Sequence, residues 1–186
     1  MKKLTQDERL EYWKYQCAAL SFIRAKEVAD YLISNENSSL IYQLITSLYV
    51  LYGRPFKQRN KVRISEDIVP QEYLTEHRLL LDLRDKMFAH IDTDGLPEKD
   101  IIQLSKILIK VRNNIAMAGM ASLLPQGYNF EKIRDLCKSL YDICDAKSQT
   151  ILIYAIDGSS VPDLTYEIDL SAEKVYLIKP VNYTLT

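Results

Sequence analysis

Residues 73–91 read YLTEHRLLLDLRDKMFAHI, and this stretch is the most informative in the chain. At the helical step of about 100° per residue, six of its apolar residues gather on one face: Leu80, Leu81, Leu83, Met87, Phe88 and Ile91. Arg84 falls inside that apolar sector, and His90 falls at its edge. A guanidinium keeps its charge and is costly to bury alone, so Arg84 needs a partner at this face. A carboxylate, backbone carbonyls, a second copy of the chain or an anionic ligand would each serve.

The periodicity of the whole chain predicts an all-α bundle of about five helices with a short C-terminal β-hairpin. The capping box Thr5-x-x-Glu8 begins the first helix, and Gly53-Arg54-Pro55 is expected to end the second. The expected helices span about 5–34, 38–52, 73–91, 98–123 and 130–156. Alternating residues over 165–170 and 174–178 indicate the hairpin. We therefore expect a bundle over 1–157, with 158–186 as an appendage of the same domain.

Composition describes an ordinary globular protein of 186 residues, with 47% hydrophobic residues, 26% charged residues and a net charge of −1. That charge argues against a protein that coats nucleic acid through overall basicity, but it allows a local basic patch. The three cysteines favour reduced thiols and a cytoplasmic location, since Cys137 and Cys144 lie too far apart on a helix to bridge. No leader or membrane span is expected, and the spacing of the two histidines predicts neither a metal site nor a cofactor.

Two further features are candidates for contact with RNA. Five cations follow one another without an intervening acid, mostly in a predicted irregular stretch over 56–72: Arg54, Lys57, Arg59, Lys61 and Arg63. They suit a segment that follows phosphates, although a solvated loop explains such a run equally simply. His77 lies seven residues before Arg84 and nearly in line with it. It is either an RNA contact or acid partner of His90, or a satisfied histidine at the edge of the core.

The chain resembles the HEPN superfamily (higher eukaryotes and prokaryotes nucleotide-binding) over roughly residues 5–155. The stretch LRDKMFAH at 83–90 is similar to the Arg-x4–6-His signature of that family, including the polar residue after the arginine. Upstream, LYVLYGRPF at 48–56 is similar to HEPN-like bacterial proteins of unknown function. The resemblance implies a helical bundle that usually forms a homodimer, with the site assembled across the two-fold axis.

The resemblance also implies metal-independent cleavage of RNA in a toxin or phage-defence setting. His90 would remove the proton from a ribose 2′-hydroxyl, and Arg84 would stabilise the charge on the phosphorane. Asp85 would orient one of the two. An antitoxin protein is a further implied partner. In HEPN toxins silenced by a nucleotidyltransferase, a tyrosine two residues after the histidine is modified, but Asp92 occupies that position here. This departure puts that particular partnership in doubt.

The same residues also allow a structural role and two further functions. Arg84 would have a purely structural role if it paired with a core carboxylate such as Glu76 or Asp30. Several HEPN relatives keep the fold without cleaving RNA, so a non-catalytic dimerisation module or an RNA-binding protein is the first alternative. A helical protein that binds a small molecule in a pocket lined by Tyr and Met is the second.

Overall fold

The computed structural model describes residues 4–35, 39–57, 62–88, 107–112, 115–120, 129–156, 166–168 and 177–180. These residues are mostly helical, as the sequence predicts. The four helices are α1 (Gln6–Ser34), α2 (Ile41–Lys57), α3 (Leu74–Phe88) and α4 (Phe130–Ile156). Two short 3-10 turns, Glu66–Ile68 and Gln71–Tyr73, lie between α2 and α3.

The two longest helices begin where local capping chemistry predicts. The side-chain hydroxyl of Thr5 accepts from the Glu8 backbone amide at 3.2 Å, and the Thr5 amide donates to the Glu8 carboxylate at 2.7 Å. At the start of α4, the side-chain carbonyl of Asn129 accepts from the Lys132 amide at 2.9 Å. Each cap satisfies amides that would otherwise lack a partner, so these helix starts depend only on nearby residues.

Helices α1 and α4 pack along their length in opposite directions, with Tyr15 beside Lys147 and Asp30 near Arg134. Six of the eight buried residues of α1 are spaced alternately by three and four, which places them in one stripe that faces the core: Tyr15, Ala18, Phe22, Ala25, Ala29 and Leu32. Helix α4 contributes buried Leu136, Cys137, Leu140 and Cys144 to the same core. Both of these cysteines are free thiols, as the sequence indicates.

The predicted end of α2 at Gly53-Arg54-Pro55 is wrong, because the helix continues to Lys57. Pro55 lacks an amide proton and strains the preceding turn. Here, however, it lies in the last turn, and both Pro55 and Phe56 are buried in the core. The Pro55 carbonyl also accepts from the Ile64 amide at 3.1 Å, so the chain returns across the end of α2. Packing therefore compensates for the proline.

The predicted fourth helix over 98–123 is also wrong for the residues that the structure describes there. Ile107–Arg112 forms strand β1 and Ile115–Met120 forms strand β2, paired antiparallel with Arg112 opposite Ile115. Branched residues in β1 favour strand, and the two-residue Asn-Asn connection suits a tight turn. The described residues thus contain four helices rather than five.

Two very short strands occur in the C-terminal region. Tyr166–Ile168 forms β3 and Leu177–Pro180 forms β4, and they pair antiparallel. The turn expected at 171–173 lies outside the described residues. The C-terminal hairpin as a unit therefore stays a prediction.

The described part of the apolar face of α3 is buried within a single chain. Leu80, Leu81 and Leu83 all lie in the core, where α3 packs mainly against α2. The width of the whole apolar face is a reason to expect a two-fold interface, and the contacts of these three leucines need no second copy. The homodimer stays a prediction. Within the described ranges, the length and hydropathy of the helices are insufficient for any of them to span a bilayer.

Candidate functional site

Arg84 lies where α3 crosses α2, directly over Gly53. A Cβ atom added to Gly53 would lie 3.2 Å from both Cγ and Cδ of Arg84, which is tighter than ordinary contact. The missing side chain at Gly53 thus makes room for the stem of the arginine. The two stretches that carry the family resemblance therefore contact each other in the fold. The Arg84 side chain remains 31% exposed, so it is partly open to solvent.

The carboxylate of Asp85 bridges two cations from different helices. One oxygen accepts from Nη1 of Arg84 at 2.8 Å, and the other lies 2.7 Å from Nζ of Lys57 on α2. Burial alone would raise the pKa of Asp85, but the hydrogen bonds from Lys57 and Arg84 outweigh it and hold that pKa below its ordinary value. Asp85 is therefore ionised at neutral pH and shared between the two cations.

The core carboxylates considered as structural partners of Arg84 are paired elsewhere. Glu76 lies 2.6 Å from Nζ of Lys132 on α4, and Asp30 lies 2.6 Å from Nζ of Lys26 on α1. The orienting role expected for Asp85 stays a prediction, and the sequence did not predict that Asp85 pairs with Lys57 as well as with Arg84. That pairing depends on how α2 and α3 cross, and no local sequence pattern predicts it.

The basic segment is divided by the fold. Arg54 and Lys57 lie on the last turn of α2, not in a loop as the sequence suggested, and cations there also compensate the helix dipole. Lys57 reaches the Arg84 site, whereas exposed Arg63 lies 3.7 Å from Glu66. Arg59 and Lys61 lie outside the described residues. Of the five cations, Lys57 is thus the one that the described structure brings to Arg84.

His77 is buried, which corrects its assignment as an RNA contact. Its side chain is 1% exposed and packs edge-on against Phe56, with ring centroids 4.7 Å apart. Nδ1 lies 2.7 Å from the Tyr52 hydroxyl, and Nε2 lies 3.3 Å from a carboxylate oxygen of Glu66. No face of the ring is left for a ligand. The alternative, a satisfied histidine at the edge of the core, is the arrangement that the structure shows.

The hydrogen bonds define one tautomer of His77. The carboxylate of Glu66 can only accept, so Nε2 carries the proton and donates to it. Nδ1 then accepts from the Tyr52 hydroxyl, and every polar atom of the neutral ring has a partner. This chain of contacts ties the 3-10 turn at Glu66–Ile68 to α2 and α3. Its role is structural, since it holds this 3-10 turn against the bundle.

The burial of His77 predicts a pH-dependent stability. Burial lowers the pKa of His77, and hydrogen bonding to Glu66 opposes this only in part. The unfolded chain therefore takes up this proton near pH 6.5, whereas the native protein takes it up at lower pH. The contribution of His77 is complete above about pH 6.5 and is lost as the pH falls. Urea unfolding of the wild type should give a free energy that decreases from pH 7.5 to pH 5.5.

Matched variants separate His77 from other groups. His77→Gln should reduce this pH dependence, whereas His90→Ala should retain it, because the chain contains only these two histidines. Equal pH dependence in the wild type and in His77→Gln would contradict the assignment.

His90 and Asp92 lie outside the described residues, so the geometry of the Arg84–His90 pair is still an expectation. In the described part of the chain, no three His, Cys, Asp or Glu side chains cluster as metal ligands would. Comparison with protein-family models, curated proteins and solved structures finds no match.

Proposed function

We propose that this chain binds RNA at the surface formed by Arg84 and Lys57, and cleaves it without a metal ion. The observation that carries the proposal is the position of Arg84. Its stem lies over Gly53, and its side chain is partly open to solvent and shares Asp85 with a second cation from another helix. An arginine fork and a lysine ammonium are the groups that proteins use most often to contact phosphate oxygens.

Cleavage would use the substrate's own 2′-hydroxyl as nucleophile. His90 takes the proton from that hydroxyl, and the oxygen attacks the neighbouring phosphorus. Arg84 donates hydrogen bonds to the phosphorane oxygens, where negative charge accumulates. The bond between phosphorus and the 5′-oxygen breaks, and the departing oxygen takes a proton from water, which leaves 2′,3′-cyclic phosphate and 5′-hydroxyl ends. His90 follows the end of α3 by two residues in the sequence, and the proposal requires it to reach a phosphate held at Arg84.

A non-catalytic module that pairs with a second copy is the other candidate. Trp13, Leu20 and Tyr31 lie at helical spacing along one face of α1 and are 50%, 50% and 46% exposed. Such a face suits a homodimer, which is also the usual assembly in the family that the chain resembles. A toxin or defence role, with an antitoxin protein as partner, remains part of the first proposal.

The binding half of the proposal is tested by the affinity of the full chain for single-stranded RNA. Affinity should fall as salt rises, and it should fall further when Arg84 or Lys57 loses its charge. Binding that does not depend on salt, or no RNA binding at all, would favour the interaction module instead.

A further inference from the structure

Asp85 contacts both cations of the site as a small bound anion would. Its two oxygens are on one carbon, and each contacts a different cation: Arg84 at 2.8 Å and Lys57 at 2.7 Å. The two non-bridging oxygens of a phosphodiester are likewise on one centre and carry one negative charge. The side chains of Lys57, Arg84 and Asp85 are 30%, 31% and 40% exposed, so a ligand can approach all three.

Asp85 is the most exposed of the three side chains. The stem of Arg84 packs against Gly53, and Lys57 lies on the last turn of α2. Asp85 is the next residue after Arg84 on α3, and its side chain is more exposed than that of either cation. A phosphate that takes its place between the two cations requires the carboxylate to turn out into solvent.

We propose that Lys57 and Arg84 form a two-point phosphate clamp, and that Asp85 is a built-in competitor that fills this clamp until a phosphate displaces it. This inference deepens the proposed RNA function, on which it rests, by naming the ligand group and a regulating residue. Asp85 keeps the two cations together in the free protein, and it lowers their affinity for phosphate. Nucleic acid must therefore supply several contacts to displace the carboxylate, so isolated phosphate ions bind weakly.

The opposite role for Asp85 makes the opposite prediction. If Asp85 only positions Arg84, loss of its charge should release the guanidinium and weaken phosphate binding. If Asp85 competes, loss of its charge should strengthen binding, because an anion close to the ligand has been removed. Asp85→Asn retains the shape and one acceptor oxygen, so it distinguishes the two roles. Far-UV circular dichroism establishes that this variant is folded.

The test measures the affinity of the full chain for inorganic pyrophosphate by titration calorimetry. The salt concentration is about 0.1 M, at which charges within about 10 Å of each other still interact. Asp85→Asn should bind pyrophosphate about tenfold more tightly than the wild type. The matched control is Asp142→Asn, which removes a carboxylate paired with Lys138 at 2.6 Å on the exposed side of α4. It should change the affinity by about twofold or less.

The double variant Lys57→Gln/Asp85→Asn examines the second cation. The affinity of the double variant for pyrophosphate should exceed that of Lys57→Gln by clearly less than tenfold. Only Arg84 then remains, and one cation cannot hold both oxygens of the ligand as the pair does. Unchanged or weaker pyrophosphate binding by Asp85→Asn would overturn the inference, and so would an equal gain in Asp142→Asn. Pyrophosphate that no variant binds would overturn it as well.

A deoxyribonucleotide oligomer distinguishes failure of this inference from failure of the proposed function, because it lacks the 2′-hydroxyl and cannot be cut. If the oligomer binds the wild type but Asp85→Asn gains nothing for either ligand, nucleic-acid binding stands and the competitor role of Asp85 is wrong. If pyrophosphate shows the gain and neither the oligomer nor RNA binds, the clamp stands and the RNA function is wrong.

Discussion

Replacement of His90 by alanine is expected to lower RNA cleavage by about 10²- to 10⁴-fold, the usual contribution of a general base. Replacement of Arg84 by alanine should lower it by about 10²- to 10³-fold, since the phosphorane charge would lose its main donor. The double variant should resemble the single variants, because groups that act together lose most of the rate when either is removed. The assay follows labelled single-stranded RNA in the presence of a chelator and identifies the product ends.

The control for cleavage is Arg78→Ala, which removes an exposed arginine from the same helix. It should cut RNA at nearly the wild-type rate. Products with 2′,3′-cyclic phosphate ends support attack by the substrate's own hydroxyl. Full activity of Arg84→Ala or His90→Ala would exclude the proposed chemistry, and so would wild-type protein that leaves a broad panel of RNAs intact.

The second large effect is expected at Phe56, in the centre of the aromatic cluster. Phe56 is fully buried, and its ring centroid lies 5.6 Å from that of Phe22, 5.7 Å from that of Tyr52 and 4.7 Å from that of His77. Phe56→Ala removes contacts that join α1, α2 and α3. It should lower the free energy of unfolding by about 3–5 kcal/mol, measured by urea denaturation.

Tyr42→Ala is the matched control, because Tyr42 is an aromatic residue of the same helix that is 46% exposed. Its loss should change the free energy of unfolding by about 0.5 kcal/mol. If Phe56→Ala lowers the free energy of unfolding as little as Tyr42→Ala, the aromatic cluster does not stabilise the fold. The aromatic residues at the end of the stretch 48–56 would then have no structural role in the core.

Local signals predict the beginnings of the helices, whereas tertiary contacts decide several of their ends. The cap residues Thr5 and Asn129 act on amides only three residues away, so the sequence alone is sufficient. Pro55 is usually a helix stop, but burial beside Phe56 and the contact with Ile64 retain it inside α2. No pattern within α2 reveals those contacts.

The wrong prediction of a fourth helix has a different cause. Short apolar runs fit a buried helix and a strand almost equally well, and the run over 107–120 also fits the longer helical pattern around it. Its branched residues and the Asn-Asn pair are the signals that favour the hairpin.

The candidate site is predictable only in part, for a geometrical reason. Helical phase alone identifies Arg84 as unusual, and it also places His77 on nearly the same line. The phase cannot tell that Arg84 crosses Gly53 and remains partly exposed, while His77 meets Tyr52 and is buried. The bridge from Asp85 to Lys57 joins residues 28 positions apart, and it exists only because α2 and α3 cross there.

The central claim, that the surface of Arg84 and Lys57 binds RNA phosphates, is tested most directly by fluorescence anisotropy of a labelled single-stranded RNA. The titration compares wild type, Arg84→Gln, Lys57→Gln and the control Lys138→Gln, which removes an exposed, paired lysine from α4. On a double-logarithmic plot of affinity against salt, wild type and the control should share one steep slope. Each site variant should bind more weakly, with a slope shallower by about 0.7–1. Wild-type protein that binds no RNA, or Arg84→Gln and Lys57→Gln slopes equal to that of the control, would contradict the claim.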